Sequence, residues 1–172
     1  MLEFPTSGSR GPAFKWERGL FYLDSHPTGN YNQNTMKPSM KFDVQKTVQY
    51  WMEGADYDLG VAEAMFEKGK YPYALFMGHL ALEKLLKALA VKATSNHAPY
   101  THSLPLLAEK TGLKISQKTV KALARFMEFH FEARYPNDQK KFYRKCTKAF
   151  TTRNLQKMNE VFLWLKKQYG KQ

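Results

Sequence analysis

His79, Glu83 and Lys87 are spaced by four, so on a helix they drift only about 80° and share one face. Leu82 and Leu86 flank them, which makes that face partly buried, and a buried charge must be paired. One reading is a Glu83–Lys87 ion pair that orients a helical bundle. The other makes Lys84 and Lys87 phosphate contacts beside a groove, with Glu83 orienting them. His130 and Arg134, again four apart, lie about 40° from one another, and Tyr135 follows at once. An Arg and a His near a helix end can engage phosphate while the Tyr ring stacks on a base. Equally, Arg134 can cap the last carbonyls of its helix and Tyr135 can fill the core. His102 precedes a short helix, a position that suits a loop cap as well as a catalyst. The run Lys140-Lys141-Phe142-Tyr143-Arg144-Lys145 interleaves bases with aromatics. That pattern fits single-stranded nucleic acid, where phosphate pairing and ring stacking combine, and it fits a mobile basic loop with packed aromatics. There is no phosphate-cradling Gly-rich loop, no His/Cys cluster at metal-ligand spacing and no Ser-His-Asp arrangement. Neither a metal nor a cofactor is expected.

Charge supports an anionic ligand. The chain carries +12, and residues 1–40 hold four bases and three acids, which leaves +11 on the rest. Such a surface attracts RNA, DNA, nucleotides or an acidic protein. The plainer reading is a solubility surface. With 172 residues and 43% hydrophobic side chains, there is enough for one core. No apolar run reaches the roughly 18 residues that cross a bilayer, and no basic-then-apolar leader pattern opens the chain. Cys146 stands alone, so no internal disulfide forms, and a reducing cytoplasm is the simplest setting.

The elements that must position these groups read as helices. Residues 1–40 contain Pro5, Pro12, Pro27 and Pro38 and lack any apolar period. They are expected to be a disordered or loosely docked tail, or a misassigned start with Met36 or Met40 as the true one. Residues 41–172 form the domain. Asp43 caps a first long helix whose Val44, Val48, Trp51, Ala55, Leu59, Ala62 and Phe66 follow one face, and Gly69 stops it. A second helix runs from about Tyr71 to Lys92, with Pro72 in its first turn. A short third begins near Ser103 and ends at Gly112. Ser116 caps a fourth that runs to Tyr135, where Pro136 forbids continuation. Asn137 to Lys148 is a basic connector, and the last helix spans about Thr151 to Tyr169. The expected fold is an all-α, up-and-down antiparallel bundle of about five helices.

The stretch from Tyr71 to Leu89, YPYALFMGHLALEKLLKAL, resembles the signature of the HEPN domain family. Thr101-His102-Ser103-Leu104 resembles the family's Thr-His-Asp-Leu segment, with Ser for Asp, and Ala133-Arg134-Tyr135-Pro136-Asn137 resembles Ala-Arg-Tyr-Pro-Asp, with Asn for Asp. The resemblance covers about residues 43–170. It implies a helical bundle, usually a homodimer, often encoded beside a minimal nucleotidyltransferase. Some members bind nucleotides; others are metal-independent ribonucleases that act as toxins or in defence. Those ribonucleases use an Arg, then four to six intervening residues, then a His, a spacing met by Arg125 and His130, with Arg134 as a second candidate to act with His130. Five positions separate Arg125 and His130 by about 140° on an unbroken helix, so they converge only if the helix breaks or a dimer completes the site. The sequence thus points first to a module binding nucleotide or RNA, with a ribonuclease or an adaptor docking an acidic protein as alternatives.

Overall fold

A computed structural model describes residues 42–132 and 136–170, with side chains throughout except at 136–139. The proposed tail, Arg134 and Tyr135 lie outside the described residues. Six helices are present and, among the described residues, no strand: α1 (Val44–Glu67), α2 (Tyr71–Thr94), α3 (Leu104–Lys110), α4 (Gln117–Glu132), α5 (Pro136–Lys145) and α6 (Lys148–Tyr169).

Local chemistry sets their ends. The Asp43 carboxylate accepts from the Lys46 amide at 2.9 Å, Ser103 Oγ from Leu106 at 3.4 Å and Thr147 Oγ1 from Phe150 at 3.2 Å, each satisfying an orphan donor of a first turn. Gly69 and Gly112 turn the chain at φ +68°, a conformation that costs other residues strain. The connector expected after α4 is a helix instead, and α6 starts earlier, at Lys148. Pro136 opens α5 as well as ending what precedes it, because the amide it lacks has no partner in a first turn. Phe142, fully buried, pins α5 to the core, while Lys140, Lys141 and Arg144 stay outside.

The core surrounds α2, most of which is buried and which packs against α1, α3, α4, α5 and α6. Leu75, Leu82, Leu85, Leu86 and Leu89 meet Phe126 and Phe129 of α4, Phe142 of α5, and Met158, Phe162 and Leu165 of α6. Gly78 lets α6 close in: a Cβ there would lie 2.8 Å from Met158 Sδ. The centrality of α2 matters for function, because polar side chains on it are forced into the interior. None of the helices is long and apolar enough to cross a membrane.

Candidate functional site

Two regions gather the polar residues. The first is inside. His79, Glu83 and Lys87 stack along α2 and are all buried. Glu83 Oε1 accepts from Lys87 Nζ at 2.9 Å and lies 3.0 Å from His102 Nδ1, and its other oxygen is 3.1 Å from that nitrogen. The Lys87 ammonium also sits 4.9 Å above the Trp51 ring of α1, a cation–π contact that helps a charge tolerate the interior. Ser103, by capping α3, fixes the turn that brings His102 over Glu83. His130 reaches in from α4: its ring is 4.8 Å from His79 and stacked on His102 at 5.0 Å. Burial pushes the Glu83 carboxyl up, but His79, Lys87 and His102 outweigh it and hold the pKa at about 2. The ion-paired reading of Glu83 and Lys87 is therefore the geometry found.

Lys84 points elsewhere. Its ammonium binds buried Asp58 of α1 at 2.7 Å, and its stem passes Gly54, where a Cβ would stand 3.2 Å from Lys84 Cδ. Lys84 and Lys87 thus do not face one ligand: each neutralises its own buried acid. Cys146 is buried too, and its thiol is pushed up to about 12 by burial and by Glu128 and Glu132, against Lys145. It is not a nucleophile at neutral pH.

The second region is a groove between α4 and α6. At one end Trp164 lines it with Lys118, Thr119, Lys157 and Glu160. Lys121, Arg125 and Asn154 form the middle, about 300 Å³ in volume. Arg153, Phe150, Glu128 and Lys145 carry it on toward α5 over about 390 Å³. Lys118, Lys121 and Arg125 recur at three and four residues, so they line one face of α4, and Arg153 and Lys157 do the same on α6. Lys157 pairs with Glu160 and Lys145 with Glu128. Among the described residues, no acid comes within ion-pair reach of Lys118, Lys121, Arg125 or Arg153.

Arg125 and His130 are consequently apart: Arg125 is exposed in the groove, whereas His130 is buried against α2. The unbroken α4 imposes this separation. Lys140, Lys141 and Arg144 are exposed on α5. Sequence reasoning passed over Lys118, Lys121, Arg153, Lys157 and Trp164. Their helical spacing was visible, but the pairing of α4 with α6 across a groove was not.

A model of the HEPN domain family matches residues 48–168. No curated protein matches the chain. Among solved structures, the crystal structure of TT1696 from Thermus thermophilus is similar at 20% identity, with a TM-score of 0.61 over 70% of this chain and 96% of that one. At that identity the likeness shows a shared fold.

Proposed function

The chain belongs to the HEPN domain family, and from that premise we propose that it binds RNA along the groove between α4 and α6. The observation that carries the reading is the continuous line of cations from Lys118 through Lys121 and Arg125 to Arg153, with Trp164 at its end. From Lys118 to Arg125 the helix rises about 10 Å, enough to meet more than one phosphate of an extended strand. That length favours a strand over a single nucleotide. Trp164, 37% exposed, offers a face on which a base can stack. The buried cluster under α2 has its charges matched internally and serves this reading by holding α4 in register. A homodimer and a minimal nucleotidyltransferase partner follow from the family resemblance and belong to the same reading.

Fluorescence anisotropy with a labelled single-stranded RNA at several salt concentrations tests it. Log affinity is expected to fall linearly with log salt, and the double variant Lys121→Ala/Arg125→Ala to reduce that slope by about 1.4. Equal binding by wild type and variant would remove the groove from the account. If the RNA is cut in EDTA and the cutting disappears in His130→Ala, the protein is a ribonuclease instead.

A further inference from the structure

His79 directs Nδ1 at the Phe126 backbone carbonyl, 3.3 Å away. A carbonyl only accepts, so Nδ1 carries a proton, and Nε2 is the nitrogen turned to Glu83. It is buried, meets no hydrogen-bond partner, and faces Glu83 Oε2 at 3.6 Å. In a dry interior such a nitrogen and a carboxylate attract only when a cation, a proton or a metal ion, sits between them. His79 helps to hold Glu83 ionised only under that condition. A third potential ligand is already there: ring nitrogens of His79 and His130 and a carboxylate oxygen of Glu83 all lie within 4.8 Å of one another.

We propose that His79, Glu83 and His130 bind one divalent transition-metal ion of the Zn²⁺ type, with His102 closing the fourth position. Imidazole and carboxylate suit zinc and its neighbours, whereas Mg²⁺ and Ca²⁺ prefer all-oxygen sets. Zinc–nitrogen bonds of about 2.0–2.1 Å place tetrahedral ligands about 3.4 Å apart. The His79–Glu83 separation, 3.6 Å, is nearly that already, and the His130 ring, within 4.8 Å, closes by up to about 1.4 Å to join. The surroundings match a ligand's outer shell. The Phe126 carbonyl fixes Nδ1 of His79, Lys87 holds Glu83 Oε1, and Oε2, 3.1 Å from His102 Nδ1, goes to the ion as the His102 ring turns from Glu83 to the fourth position. Lys87 also opposes the ion by its charge, and this sets the upper limit on affinity. Access runs past His102, whose side chain is 59% exposed. The helix spacing of His79 and Glu83 supplies two ligands from one turn, and packing supplies the others from the α3 approach and from α4, which is why spacing alone conceals the set.

The test is a Co²⁺ titration of the tag-free full chain after dialysis against EDTA. One equivalent is expected to produce the visible absorption bands of four-coordinate cobalt, and Zn²⁺ to displace them. His79→Gln and His130→Gln, still helical by circular dichroism, are expected to bind at least about 100-fold more weakly, the upper end of what losing an outer-shell partner costs. His97→Gln, at a surface histidine, leaves the bands unchanged. Absence of bands in the wild type would mean that a proton alone joins His79 to Glu83 and would overturn the site. So would bands that persist in both variants. Should those two fail to fold, His102→Gln decides: altered bands support the proposal, and identical bands reject it.

Discussion

Glu83 occupies a place where a carboxylate is costly, yet its pKa is about 2 against an ordinary 4.5, because burial raises it less than His79, Lys87 and His102 lower it. The folded value lies below the unfolded one, so its contribution is fully present above about pH 5 and is lost as pH falls toward 2. A shift of this size corresponds to about 3 kcal/mol. In EDTA, urea midpoints of the wild type are expected to drop steeply across that window, and those of Glu83→Gln to start lower and stay flatter. Parallel curves would show that Glu83 does not carry the acid sensitivity. Trp164 is a second test at this scale. Replacing it with Ala removes one stacking face and is expected to weaken RNA binding by about 1–3 kcal/mol without moving the salt slope, since no charge is lost. The sequence showed part of this site clearly. His79, Glu83 and Lys87 are legible because helical spacing alone puts them on one face. His130 and His102 are not, because only the packing of α4 and the α3 cap against α2 brings them there.

At the scale of elements, α1 and α2 are locked by an ion pair as well as by their apolar faces. Lys84 reaches Asp58 through the gap that Gly54 leaves. Lys84→Met strands the Asp58 charge in the interior, and a cost of about 2–3 kcal/mol is expected from chemical denaturation, below that of a fully buried pair because Lys84 is about one-third exposed. The double variant Asp58→Leu/Lys84→Met is expected to recover most of it; no recovery would place the loss in packing rather than in charge. Ser103→Ala removes the α3 cap and is expected to cost about 1 kcal/mol. Helix boundaries were legible where a cap or a glycine announced them, as at Asp43, Gly69, Ser103 and Gly112. The α5 helix was hidden because Pro136 reads equally as an end and as a beginning, and because Phe142, buried in a strongly basic stretch, gives no apolar period.

At the scale of the molecule, a +12 chain must place its excess charge somewhere. The structure sorts part of that charge: Lys84 and Lys87 neutralise interior acids, Lys118, Lys121, Arg125 and Arg153 face solvent along one groove, and Lys140, Lys141 and Arg144 are exposed on α5. Net charge, legible at once in the composition, therefore overstates the proposed ligand surface and does not locate it. Hydrogen exchange of the full chain with and without single-stranded RNA is the most direct measurement. Bound RNA is expected to slow exchange along 117–128 and 148–164, the walls of the groove, and to leave α1 unchanged. Protection confined to α1 or α3, or none at an RNA concentration that saturates binding, would contradict the placement of the ligand between α4 and α6.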